Sequence, residues 1–347
     1  MPRPRWTTTI CGRSPRSASR ASATREATRR RCSAPSSVSS PVLTIRSSSF
    51  PSSGASTQNR HVLSLFDRAG SHRIARPRRP RRLDRGALLR IRIAGGHQIA
   101  TRDGGPTSIL IDDHIALDTG GICQALDIPA LCQVDTVLLT HHHFDHLRDL
   151  PGLGLIALDT GRSIDVYCTD LVRAMLTSSI INDAIWINLF AGLDPNAPTF
   201  VHHPVTPGVR FRLAGYEVLP LENRHHPVPV CGFEFRTPSG RRFAYTGDTG
   251  PGIRDLWPLI RPDVLLTEVT WPNARTPIAR LAGHLTPELL SNELESYREV
   301  HGGLPDQVYV CHINQIWEGD VRRELSDLSR HLGVEVRIAV EGTLIDL

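Results

Sequence analysis

From Leu88 onward the apolar residues fall into short periodic runs separated by Gly, Pro, Asp and Asn, the pattern of a sheet-rich domain. Leu89-Arg90-Ile91-Arg92-Ile93 alternates with a period of two and predicts a first strand. Residues 108–111 and 115–117 follow as strands around the turn Asp112-Asp113-His114 and end at Asp118-Thr119-Gly120-Gly121. Val137-Leu138-Leu139 predicts a buried strand, residues 147–158 an apolar stretch broken by Pro151 and Gly152, and Asp165-Val166-Tyr167-Cys168 a further strand. Thr169 and Asp170 suit the N-cap of a helix over about 171–181, and the apolar Ile180 to Trp186 stretch could cover a cleft.

The second half repeats the order. Residues 209–213, 216–221, 232–236 and 242–245 read as successive strands, and Val264-Leu265-Leu266 as a buried one ending at Glu268. A loop of about fifteen residues then carries Gly283-His284-Leu285. Thr286 as N-cap and Pro287 in the first turn open a helix that stops at Gly302-Gly303. Val308-Tyr309-Val310-Cys311 predicts the next strand. Val321, Leu325, Leu328 and Leu332 mark the apolar stripe of a last helix, followed by Gly333 and a strand over 336–340. Strands first, then strands alternating with helices, twice over, predict an α/β (α+β) fold in which two sheets pack face to face with helices outside.

Charge divides the chain. Residues 1–86 hold 19 Arg against Glu26, Asp67 and Asp84, a balance of +16, so the remainder carries −11 of the overall +5. All 40 basic residues are Arg, as expected of a GC-rich genome. The Ser-, Arg- and Pro-rich residues 1–87 show no sustained apolar period and read as a disordered leader, either a start placed too far upstream or a targeting segment. Residues 88–347 form the folded domain. No apolar run approaches the roughly 18 residues of a membrane span. Seven cysteines, an odd number without a CxxC pair, argue against a disulfide framework and for a reducing, cytoplasmic setting.

The chemistry concentrates in Thr140-His141-His142-His143-Phe144-Asp145-His146, directly after a strand. His141 and His143, two apart on extended chain, project to one side and can share an ion. Asp145 and His146 lie farther along and suit a second. Mixed imidazole and carboxylate donors favour Zn²⁺, with Mn²⁺ or Fe as substitutes. Further ligand types stand at later strand ends: His225-His226, Asp248 in Thr246-Gly247-Asp248-Thr249, and His312. Asp118, at an earlier strand end, is placed to orient a ligand or to cap the next segment.

These residues resemble the metallo-β-lactamase fold superfamily of four-layer αββα sandwich metallohydrolases. The landmarks Asp118, H-x-H-x-D-H, His226, Asp248 and His312 occur in that family's order over residues 88–347. The resemblance implies one ion held by His141, His143 and His226, a second by Asp145, His146 and His312, and Asp248 bridging them. His226 is preferred over His225 because in the tRNA-processing branch the ligand lies six residues before a glycine, here Gly232.

Gly283-His284-Leu285-Thr286-Pro287, Ile181 to Trp186 and Val340-Glu341-Gly342 resemble class II cyclic-nucleotide phosphodiesterases, although Ile187 stands where that family commonly has Pro. His284 is also similar to the extra histidine of ribonuclease Z. The implied reaction is hydrolysis of a small phosphodiester, a 3′,5′-cyclic nucleotide to its 5′-nucleotide, by attack of a hydroxide bridging two Zn²⁺ ions. His284 and Asp145 are the expected catalytic groups. The alternatives are a ribonuclease Z-type tRNA 3′-endonuclease, disfavoured by the −11 balance, a thioesterase or lactonase, and a nucleotide sensor without catalysis. A membrane partner is not expected, and a homodimer is left open.

Overall fold

The structure, a computed structural model, describes residues 89–191 and 197–347. The Arg-rich leader expected over 1–87 lies outside the described residues. Strands β1 (Arg90–Gly95), β2 (Ser108–Ile111), β3 (Ile115–Leu117), β4 (Thr136–Leu138), β5 (Ile164–Cys168) and β6 (Phe200–Pro204) belong to the first sheet. The second contains β7 (Phe211–Leu213), β8 (Tyr216–Asn223), β9 (Val230–Arg236), β10 (Arg242–Tyr245), β11 (Val264–Glu268), β12 (Gln307–Cys311) and β13 (Val336–Ile338). The last strand, β14 (Leu344–Asp346), returns to the first.

The strand orders are β14-β1-β2-β3-β4-β5-β6 and β13-β12-β11-β10-β9-β8-β7. In each sheet an antiparallel meander gives way to parallel strands, from β3 in the first and from β10 in the second. Parallel neighbours need crossovers, and the helices supply them. Leu89 and Leu347 exchange backbone hydrogen bonds at 3.0 Å, so the outer strand β14 is pinned to β1 along its length.

Three apolar clusters separate four layers. Ile91, Ile109, Leu117, Tyr216, Phe233, Phe243 and Leu266 meet between the sheets. Leu153, Ala157, Val172 and Leu176 cover the outer face of the first sheet. On the second, Leu290 and Leu294 of the Pro287–His301 helix and Val321, Leu325 and Leu332 of the Glu318–Leu332 helix do the same. This is the αββα sandwich that the alternation of elements predicts. The caps agree as well: Thr169 and Thr286 accept from Val172 N and Leu289 N, and Gly302 and Gly333 close their helices in the left-handed region.

Some elements differ from expectation. Residues 150–159 form one helix, because Pro151 sits in its first turn, where a missing N–H costs nothing. The loop after Glu268 contains the Thr276–Ala282 helix, and the sequence pattern gave no sign of β6 or β14. Ile181 is buried and pairs with Trp186, while Ile185 is exposed. No helix among the described residues is long and apolar enough to cross a membrane, and the described cysteines are free.

Candidate metal centre

The C-terminal ends of the parallel strands converge on one place. His141 follows β4, Asp248 follows β10 and His312 follows β12, while Asp118 leaves β3 and Glu268 ends β11. Open α/β sheets present ligand-binding residues at such strand ends. Asp118 and His312 hold φ of 55° and 59°, a region that residues other than glycine occupy only when their surroundings impose it. Gly247 is required for a related reason: with φ 65°, a Cβ there would also lie 3.0 Å from the Thr140 side chain.

Asp248, only 1 % exposed, lies at the middle. Its carboxylate oxygens are 3.7 Å from His141 Nε2, 3.2 Å from His146 Nε2 and 3.4 Å from His312 Nε2. His312 Nε2 is also 3.1 Å from Asp145 Oδ2. Two donor groups result, His141–His143–His225–Asp248 and Asp145–His146–His312; a third combination joins Asp248, His284 and His312. Within each group the donor atoms lie within 4.8 Å of one another.

The backing of these rings sets their tautomers. Thr140 Oγ1 donates to Asp118 Oδ2 at 2.9 Å and accepts from His141 Nδ1 at 2.9 Å. Thr270 Oγ1 donates to Glu268 Oε2 at 2.8 Å and accepts from His312 Nδ1 at 2.9 Å. His146 Nδ1 donates directly to Asp118 at 2.8 Å, and His225 Nδ1 to the carbonyl of Gly283 at 2.8 Å. Each ring thus spends Nδ1–H on the scaffold and turns its Nε2 lone pair inward, the usual preparation of a metal-binding imidazole.

Three of the inward atoms, His141 Nε2, His146 Nε2 and Asp248 Oδ1, are buried without a hydrogen-bond partner among the described residues. Orphaned polar atoms are costly, and cations held by the two donor groups would satisfy them. His143 Nδ1 faces His225 Nε2 at 3.1 Å, and with His225 Nδ1 committed to Gly283 this contact also calls for a proton or a cation between the rings. The donor set therefore fits divalent metal.

Charge states agree. Burial, reinforced by the charge of His146, pushes His141 well below its ordinary value; burial and His225 lower His143 to about 4, and burial lowers His225. Burial alone would raise Asp145, but the hydrogen bond from His312 and the His146 charge bring it down to about 2. Neutral imidazoles and ionised carboxylates are the ligand-competent forms; His146 is the exception, since Asp248 and Asp118 outweigh burial and raise it well above its ordinary value, so a metal would have to displace its proton.

One expected residue is displaced. His226 is exposed, whereas His225 is 4 % exposed and joins His141 and His143, with ring centroids at 5.3 and 4.9 Å. In this arrangement the Gly283 carbonyl accepts from His225 Nδ1 at 2.8 Å, and the neighbouring His226 lies outside the donor groups. His142 also stays outside the donor groups. His284 is placed beside the centre, stacked on His312 at 5.3 Å, with Nδ1 2.7 Å from Glu268 Oε1. Burial would lower its pKa, but Glu268 outweighs it and raises the ring to about 9. No role in the site was expected for Thr140, Glu268 or Thr270; a hydroxyl next to a candidate ligand histidine and an acid at a strand end were the available signals.

The family model described as Beta-lactamase superfamily domain matches residues 121–313. The chain belongs to this superfamily. Its members are metal-dependent hydrolases that bind divalent ions, and the two sheets with flanking helices are the metallo-β-lactamase fold. Among solved structures, unliganded yeast PDE1 superposes with a TM-score of 0.64 at 17 % identity, covering 75 % of this chain and 99 % of that one. The metallo-β-lactamase fold protein YhfI from Bacillus subtilis gives 0.59 at 16 %, covering 75 % and 99 %. The short form of human tRNase Z gives 0.51 at 19 %, covering 74 % and 98 %. Identities this low show shared fold alone. No curated protein matches the chain.

Proposed function

We propose that this superfamily member is a two-metal phosphodiesterase that hydrolyses a small phosphodiester, with a 3′,5′-cyclic nucleotide as substrate and the 5′-nucleotide as product. The observation that carries this reading is the meeting of two donor groups on one buried carboxylate, Asp248, with orphaned donor atoms on both sides of it. His141, His143 and His225 would hold one ion, Asp145, His146 and His312 the other, and Asp248 both. Two bound ions, Zn²⁺ or in its place Mn²⁺ or Fe, supply a water acidic enough to deprotonate near neutral pH and positive charge against the phosphoryl oxygens.

The remaining roles fall to side chains. Asp145, held ionised and mostly buried, is placed to steer the proton of the attacking water. His284 is held by Glu268 at 2.7 Å, whose charge favours the protonated ring, the form that can give a proton to a departing 3′-oxygen. The −11 balance of residues 87–347 supports a small substrate over a nucleic acid, because phosphate neutralisation supplies most nucleic-acid affinity.

The test is hydrolysis of cyclic AMP and cyclic GMP by the full chain loaded with Zn²⁺, with bis(p-nitrophenyl) phosphate as generic diester. Release of 5′-nucleotide at an enzymatic rate supports the reading. Cleavage of the generic diester alone keeps the phosphodiesterase and removes the cyclic nucleotide. Silence on all three from a chain that has taken up metal turns the reading toward thioester or lactone bonds. His284→Asn should keep its metal and lose kcat by about 10²- to 10⁴-fold, the range of a lost general acid; full turnover would remove His284 from the reaction.

A further inference from the structure

We propose that His97 and Glu341, outside the metal centre, form a positioning pair that fixes His312 and, by a second path, Asp145; the proposal rests on the reading of the centre given above. His312 holds φ 59°, which a residue other than glycine keeps only when its neighbours over-determine it. The next residue, Ile313, is fully buried, and both its backbone groups are bound to the residues flanking His97. Its N–H donates to Gly96 O at 3.3 Å, and its carbonyl accepts from Gln98 N at 3.1 Å. Asn314 Nδ2 adds a bond to Gln98 Oε1 at 2.8 Å.

The segment that grips Ile313 is in turn gripped by one carboxylate oxygen. Glu341 Oε1 accepts from Gly96 N at 3.2 Å, from Gly105 N at 2.7 Å and from His97 Nδ1 at 2.9 Å. On the other side of the ring, Glu318 Oε2 lies 3.5 Å from His97 Nε2. His97 is 5 % exposed and so spans two carboxylates in a largely dry position.

The second path starts at Gly105. The chain continues through Pro106 to Thr107, whose carbonyl accepts from Gly120 N at 3.0 Å, and Gly120 leaves no room beside Asp145: an added Cβ would lie 2.8 Å from Pro106 Cβ and 1.8 Å from the Asp145 carbonyl. Glu341 therefore braces the backbone on both sides of the Asp145–His312 contact, 3.1 Å across, while touching neither side chain. Groups bonded directly to a ligand are worth roughly 10- to 100-fold in metal affinity, and a brace acting one backbone step farther back should fall at the lower end, about tenfold.

The experiment counts ions in the full chain after dialysis with Zn²⁺ against a fixed chelator concentration that leaves wild type with two, and measures kcat and KM on bis(p-nitrophenyl) phosphate. Glu341→Ala should lose one ion and about tenfold or more in kcat with little change in KM. Glu341→Gln, which keeps a carbonyl oxygen for the two glycine amides, should recover most of both. His97→Gln leaves Glu341 its amides, gives the same loss to a smaller degree, and keeps the test decisive should Glu341→Ala fail to fold. Leu332→Ala, a cavity in the outer core, controls for lost stability and should keep both ions.

A Glu341→Ala chain that retains two ions and wild-type kcat while its Tm falls as in Leu332→Ala overturns the proposal and leaves the metal centre standing. A wild-type chain that takes up no ion overturns the metal-centre reading and the proposal together.

Discussion

The carboxylate of Asp118 sits 2.8 Å from Nδ1 of His146, and neither side chain is exposed to solvent. The same carboxylate accepts from Thr140 N at 2.8 Å and from Tyr245 OH at 3.0 Å, so one strand-end acid orients a candidate ligand and ties the two sheets together. Asp118→Asn keeps the shape and removes the charge behind His146. Metal affinity should fall about 10- to 100-fold while the fold persists, measured by competition with a chromogenic chelator. Unchanged affinity would reduce Asp118 to a structural tie.

Adjacent histidines make a sharp comparison. His225→Ala should release the ion shared with His141 and His143 and abolish turnover. His226→Ala, at an exposed position, should leave metal content and kcat within about twofold of wild type. Elemental analysis of the two purified variants checks this, and the reverse result would restore His226 as the ligand.

That pair also shows where the sequence stops being informative. His141, His143, Asp145 and His146 were legible because four donors crowd one loop, and Asp248 and His312 because each ends an apolar run. The choice between His225 and His226 depends on a carbonyl 58 residues away, at the Gly283 cap of the Thr276–Ala282 helix, and no local spacing encodes that contact. Glu268 and Thr270 were hidden likewise: a threonine two residues past a strand end looks like any loop residue until its hydroxyl is found between Glu268 and His312. The long stripes and caps of the last two helices were readable. Strands β6 and β14, three to five residues long at sheet edges, were not, because a short edge strand needs little apolar patterning.

The His97 clasp carries a pH signature. Burial disfavours the charged ring, but Glu341 and Glu318, the acids facing it from the C-terminal segment and the last helix, outweigh burial and raise its pKa above the ordinary 6.5. The folded chain then holds the proton more tightly than the unfolded chain. The resulting stabilisation is complete below about pH 6.5 and is lost as pH rises through the raised value. Urea unfolding of wild type and His97→Gln from pH 6 to 9 should show a stability gap that narrows with pH; a constant gap would mean that the ring acts by packing alone.

Gly120 offers a purely steric check. Its Cβ position lies 1.8 Å from the Asp145 carbonyl, which is backbone and cannot swing aside. Gly120→Ala should therefore cost about 1–3 kcal/mol or more and displace Asp145. The expected result is a lower Tm together with weaker metal retention, whereas Gly303→Ala, with open space at its Cβ, should change metal retention not at all.

The pairing of β14 with β1 bears on how the chain is made. β1 through β6 precede the second sheet in the chain, yet the strand that pairs with the outer edge of β1, residues 344–346, follows it. That edge is an open template for other strands throughout translation of the second sheet. Chains cut before Leu344 should thus be more prone to association than chains that contain β14, and this strand works as a latch over the β1 edge.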